Sequence, residues 1–115
     1  METREELRRL AQRRAAFNRW FAPYDAMLLP TVAVPGLDVT THDEMGPIPG
    51  YLTRPGNYLG LCGLAMPSGF SAGLPTGVQI LGKPFAESTV LRAGKAFQDA
   101  TGFHKAKPDL SAVGL

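Results

Sequence analysis

Two serines, Ser68 and Ser71, stand in the stretch Pro67-Ser-Gly-Phe-Ser-Ala-Gly73. A hydroxyl becomes a nucleophile only with a base in hydrogen-bond reach and a third group to orient that base. Few partners are on offer. The histidines are His42 and His104, and Ser68, His104 and Asp99 could be named as a serine, histidine and acid set, but their spacing supplies no geometry for one. Lys83, Lys95, Lys105 and Lys107 are expected on a turn, a helix and the C-terminal stretch, where water keeps an ammonium charged, so none reads as a desolvated base. No catalytic residue is assigned. His42, Asp43 and Glu44 are metal-ligand types, but three adjacent residues cannot all face one ion from a regular element, so a solvated loop is expected, with no metal and no cofactor. The single cysteine, Cys62, cannot form an internal disulfide, which suits a reducing cytoplasm.

The elements that would position these residues follow from pattern. Residues 3–21 predict a helix: Thr3 and Glu6 have capping-box spacing, and Leu7, Leu10, Ala11, Phe17 and Phe21 recur with helical period. Arg14 falls in the middle of that apolar face and needs a carboxylate or carbonyl partner, or a stem laid along the core with its head in water. Arg8, Arg9, Arg13 and Arg19 scatter around the rest of the wheel, so no basic stripe for nucleic acid is drawn. Asp25 to Thr31 reads as a buried strand, Val32 to Gly50 as a long loop, and residues 51–62 as irregular or one short helix after Pro55. Leu64 to Pro67 and Gly77 to Gly82 predict two more strands, joined by a bend over Gly73 to Gly77. A second helix is expected from Ala86 to Ala100, burying Val90, Leu91, Ala96 and Phe97, with Gly102 as its C-terminal cap and residues 103–115 as a tail.

Composition sets the class. With 44% apolar and 19% charged residues the 115-residue chain is globular in character, which argues against disorder or a fibre. A net charge of +2 implies no polyanionic partner. No apolar run approaches the roughly twenty residues that cross a bilayer, and the charged helical start is no secretory leader. The strands, however, carry apolar residues at successive positions, as in Met27-Leu-Leu29, and so call for cover on both faces. Two helices cover one face of a three-stranded sheet. The other face is left for a neighbour, which predicts either a missing portion of the same domain or association between copies.

Taken in order, the arginine-bearing helix, Phe21-Ala-Pro-Tyr-Asp-Ala-Met-Leu-Leu-Pro-Thr31, Thr53-Arg-Pro-Gly-Asn-Tyr-Leu-Gly-Leu61, Met66-Pro-Ser-Gly-Phe70, Gly73-Leu-Pro-Thr-Gly-Val-Gln-Ile-Leu-Gly82 and Pro84-Phe-Ala-Glu87 resemble the carboxyl end of amidase-signature enzymes over nearly the whole chain. The resemblance implies an α/β fold with a mixed sheet flanked by helices. Of that fold this chain would be a single partial domain, residues 1–115, with about three short strands and two main helices. It implies hydrolysis of carboxamide C–N bonds through a serine nucleophile, a second serine and a lysine, in a Gly- and Ser-rich region that nothing here matches. The partners it implies are the missing N-terminal amidase portion or a homo-oligomer, and a small-molecule amide; no nucleic acid and no membrane are expected. Thr53, Asn57 and Cys62 would then contribute to the wall of the substrate pocket, with the Val32 to Gly50 loop as its rim. Asn57 could equally tie down a turn, and Cys62 could be a small buried hydrophobe. Where the resemblance calls for proline the chain has Cys62, which frees the backbone there. The alternative function is a non-catalytic module that self-associates or binds a partner protein through the uncovered sheet face.

Overall fold

The structure, a computed structural model, describes residues 3–41 and 50–114. His42, Asp43 and Glu44, the only adjacent trio of metal-ligand types, lie outside the described residues. Helix α1 runs Arg4–Phe21 and begins as its sequence dictates: Thr3 Oγ1 accepts from the Glu6 amide at 3.2 Å, and the Thr3 amide donates to Glu6 Oε2 at 2.6 Å. The Thr3 amide, aided by its hydroxyl, holds the Glu6 carboxyl below the ordinary carboxylate range. The apolar face of α1 is only partly used. Phe21 is buried and Leu10 and Phe17 half-buried, whereas Leu7 and Ala11 are exposed.

Helix α1 was expected to cover the sheet. It lies chiefly against the short helix α2, Arg54–Leu59. The half-buried Arg14 takes the role open to a buried guanidinium, donating from Nε to the Tyr58 carbonyl at 2.8 Å, while Arg13 Nη1 donates to the Tyr58 hydroxyl at 2.9 Å. Two arginines of α1 are thereby tied to α2.

Three strands, β1 (Ala26–Pro30), β2 (Cys62–Ser71) and β3 (Leu74–Gly82), form one antiparallel sheet in the order β1-β3-β2. Its register sets Ile80 between Leu28 on β1 and Leu64 on β2. Strands β2 and β3 are longer than the sequence suggested, because the expected bend over Gly73 to Gly77 is a two-residue turn at Ala72 and Gly73, with φ of 50° and 78°. Left-handed geometry at both central residues matches the twist of a hairpin, so pairing continues through Leu74, Pro75 and Thr76. Strand β1 stops at the Pro30–Val78 pair, leaving β3 an edge on that side at Pro75, where a residue without an N–H is tolerated. The register shifts between Pro67 and Gly69, so Ser68 bulges from β2.

Helix α3, Glu87–Thr101, packs on β2 and β3 and ends at Gly102, whose φ of 68° and N–H to the Gln98 carbonyl fulfil the expected cap. Its inner stripe differs from the expected one. Val90 and Gly94 are buried and Ala93 and Phe97 half-buried, whereas Leu91 is 59% exposed and Ala96 exposed. Val90, Ala93, Gly94 and Phe97 follow the i, i+3, i+4, i+7 row, and Leu91 stands about 100° round from Val90. The supposed tail is partly ordered: Phe103–Lys105 makes one 3₁₀ turn, and the Phe103 ring lies 6.4 Å from that of Phe97.

The core is small. Buried apolar residues are Phe21, Met66, Ile80, Leu81 and Val90, while mid-strand Leu28, on the same face as Ile80, is 61% exposed. Helix α3 covers part of this face. On the other, α2 reaches Leu81 near Gly56. The chain exposes 8703 Å², against about 6,100 Å² for a compact monomer of its 12.3 kDa mass. Its radius of gyration is 17.3 Å, against roughly 13 Å for a compact domain of this length. Among the described residues, Leu28 stays open on the α3 side, whereas Gln79 and Leu81 on the other face are buried.

Candidate functional site

On the face opposite α3, the start of α2 stands over β2 and β3 and encloses a hollow of about 270 Å³ lined by Thr31, Thr53, Asn57, Gly63, Gln79 and Leu81 among others. Proline at the start of α2 favours helix initiation just after Thr53, and the left-handed Gly60 ends the helix after one and a half turns. That short helix and its N-cap carry two of the three residues expected at a pocket wall, Asn57 and Thr53. Thr53 is half-buried and donates from Oγ1 to the Gly50 carbonyl at 3.3 Å. Asn57 is exposed, and its side chain makes no hydrogen bond with the described residues.

Cys62 is not brought to this hollow. Its thiol donates to the Lys83 carbonyl at 3.2 Å and packs against the Met66, Ile80 and Val90 core on the opposite face. Strand parity alone separates it: Cys62 shares a face with Leu64 and Met66, and Gly63 and Ala65 line the hollow.

Gln79 is the site residue that sequence reasoning passed over. It is 5% exposed, in the middle of the central strand, and its Nε2 donates to the Pro30 carbonyl at 3.1 Å and to the Leu52 carbonyl at 2.9 Å. A lone polar residue inside the apolar run Val78-Gln-Ile-Leu81 was the available signal, since a buried polar group must find partners. Thr31 Oγ1, beside it, is buried without a partner among the described residues, a cost of about 1–3 kcal/mol.

The polar groups around this hollow, Thr31, Thr53, Asn57 and Gln79, are all neutral. Such a wall can hold and orient a neutral polar group by hydrogen bonds, without a nucleophile and base of its own.

A second hollow, about 400 Å³, lies between β1, the chain after it and the hairpin, with Leu28, Val32 and Val34 facing Ser68, Ser71 and Thr76. Ser68 Oγ is 3.0 Å from Thr76 Oγ1. The other two residues of the conceivable triad are elsewhere engaged or exposed: Asp99 pairs with Lys95 at 2.6 Å in solvent, and His104 sits exposed in the 3₁₀ turn. Lys83 Nζ donates to the Ala22 carbonyl at 2.9 Å and serves to join the end of α1 to β3. Among the described residues no cluster of three metal-ligating side chains exists, and no helix is long and apolar enough to cross a membrane.

The profile of the Amidase family matches residues 1–91. A glutamyl-tRNA(Gln) amidotransferase subunit from Streptococcus mutans is 42% identical over 96 residues, covering 80% of this chain and 20% of that protein. Its counterpart from Bacillus licheniformis is 45% identical over 98 residues, covering 82% of this chain and 20% of that protein. The chain thus spans about one-fifth of the length of the curated relatives it matches. Among solved structures, the corresponding glutamyl-tRNA(Gln) amidotransferase polypeptide of Thermotoga maritima superposes with a TM-score of 0.67 at 30% identity, over 76% of this chain and 20% of that one. A chain of an inhibitor-bound vestigial complex tied to the origins of an s-triazine catabolic enzyme gives 0.71 at 30% identity, over 90% of this chain and 25% of that one. A bacterial aryl acylamidase of the amidase-signature enzymes gives 0.63 at 26% identity, over 83% of this chain and 23% of that one. The sequence motifs, the α/β arrangement of three antiparallel strands with helices, and a profile match over most of its length agree: the chain belongs to the amidase family, as a part of the amidase-signature fold.

Proposed function

We propose that these 115 residues are the C-terminal part of one domain of a carboxamide hydrolase, and that they supply a wall of its substrate pocket. On this reading the serine nucleophile, the second serine and the lysine come from chain outside these residues, because among the described residues neither Ser68 nor Ser71 has a base in hydrogen-bond reach. The observation that carries the proposal is the neutral hollow of Thr53, Asn57 and Gln79, on the sheet face opposite α3. A neutral amide needs donors and acceptors without a competing charge, and these side chains offer both. Cys62 serves as a small core hydrophobe in this assignment, and a reducing cytoplasm suits its free thiol. Several relatives are named for glutamyl-tRNA(Gln); in α1, Arg13 and Arg14 are tied to Tyr58, and Arg9 to Glu5.

The test joins the chain to an upstream amidase portion bearing the Gly- and Ser-rich signature and the lysine, and measures ammonia release from a panel of primary amides. The joined protein is expected to hydrolyse at least one, and the 115 residues alone none. A correctly folded joined protein that is silent across the panel sinks the proposal.

A second reading, a non-catalytic module that self-associates or binds a partner protein, is favoured by one specific observation, the exposed mid-strand Leu28. It predicts particles larger than the monomer in light scattering, together with binding of a hydrophobic dye. A well-dispersed monomer that binds no dye excludes it.

A further inference from the structure

We propose that Gln79 is the positioning residue of the pocket wall: its carboxamide nitrogen bonds the Pro30 and Leu52 carbonyls together and so fixes the start of α2, with Thr53 and Asn57, over the sheet. The inference rests on the hydrolase reading only for its consequence on substrate; the tie itself stands on geometry.

Gln79 is held on both sides by its backbone, paired with Leu29 on β1 and Ala65 on β2, so its side chain projects from the central strand. Pro30 ends β1 and Leu52 precedes Thr53, so the two carbonyls bracket the long loop, and one nitrogen joins its two ends. Among the described residues, this is the one hydrogen bond between the sheet and residues 50–61; the other ties of that segment run within itself or to α1. Bonding two carbonyls from a single atom requires at least two N–H donors. A primary amide has two without a charge, a lysine would bring a buried charge, and an asparagine is one methylene short. A leucine of similar volume would fill the space but leave both carbonyls unpaired.

The test follows amide hydrogen exchange, corrected for the intrinsic rate, across a pH series in the full chain. Gln79→Leu is expected to lose protection at residues 53–60 by about tenfold or more at every pH, with β2, β3 and α3 far less affected. Gln79→Glu has a different signature. Its protonated acid donates one hydrogen to a carbonyl, its carboxylate none, and burial against two carbonyl oxygens raises its folded-state pKa. Protection of 53–60 in this variant is therefore present at pH values below the ordinary carboxylate range and is lost as the pH rises through the raised pKa. Wild type shows no such step. Should Gln79→Leu fail to fold, the pH series on Gln79→Glu still decides the matter. Unchanged protection in Gln79→Glu at every pH, or a loss spread evenly over the whole sheet, overturns the positioning role.

In the joined hydrolase, Gln79→Glu above its step is expected to raise KM about tenfold with little change in kcat, the mark of displaced binding groups. Loss of protection at 53–60 with KM unchanged leaves the tie standing and refutes the pocket wall instead.

Discussion

Ile80→Ala is expected to cost about 2–5 kcal/mol, the range for emptying a buried aliphatic site that cannot collapse. Ile80 is 5% exposed, sits on the strand that pairs on both sides, and meets Met66 and Val90 where α3 crosses the sheet. Small domains hold only about 5–15 kcal/mol in total. A chain with so few buried apolar residues stands at the low end, so the variant should lose its cooperative urea transition in far-UV circular dichroism. Leu28→Ala is the internal comparison. Leu28 is the cross-strand neighbour of Ile80 on the same face, but among the described residues no helix lies over it, and its truncation should stay within about 0.5 kcal/mol. Equal costs at the two positions would mean that α3 does not define the core.

Gly82→Ala should be the more damaging of the two glycine replacements under α3, by about 1–3 kcal/mol in the same titration. A Cβ at position 82 would collide with the Val90 side chain and lie 3.0 Å from Cys62 Sγ, with the Ala86 carbonyl 3.7 Å away. Valine is stiff at χ1, and the thiol is held by the Lys83 carbonyl, so neither neighbour yields cheaply. At Gly94 the obstacle is the tip of the Leu64 side chain, with Met66 Sδ at 3.1 Å. Those long side chains can turn aside, and alanine in place of a mid-helix glycine returns up to about 1 kcal/mol of helix propensity. Gly94→Ala is therefore expected to cost clearly less than Gly82→Ala. The reverse order would show that the helix, not the strand end, is the tight side of this contact.

The two glycines also show why α3 settles where it does. Without side chains at Gly82 and Gly94, helix and sheet approach closely over Met66, Ile80 and Val90. The same approach ends before β1, which leaves Leu28 open. Among the described residues nothing closes that side of β1, and the chain spans 20% of the curated relatives it matches.

What the sequence determined by itself was local. The capping box at Thr3 and Glu6, the left-handed cap at Gly102, the short apolar strand before Pro30 and the motifs shared with amidases each depend on residues within a few positions of one another, where backbone sterics and side-chain reach decide the outcome. The shortage of cover on the sheet was legible for the same reason, since consecutive apolar residues in a strand point both ways. Tertiary structure decided the rest. Val90 and Leu91 are equally apolar, and only docking on the sheet selected the Val90, Gly94 row. Cys62 and Gly63 differ by one step of strand parity, and only the pairing of β2 with β3 set the thiol in the core and away from Thr53 and Asn57. The tie from Gln79 to Pro30 and Leu52 joins residues 49 and 27 positions apart, and no local preference encodes such a contact; it exists because folding brought three separate segments to one point in space.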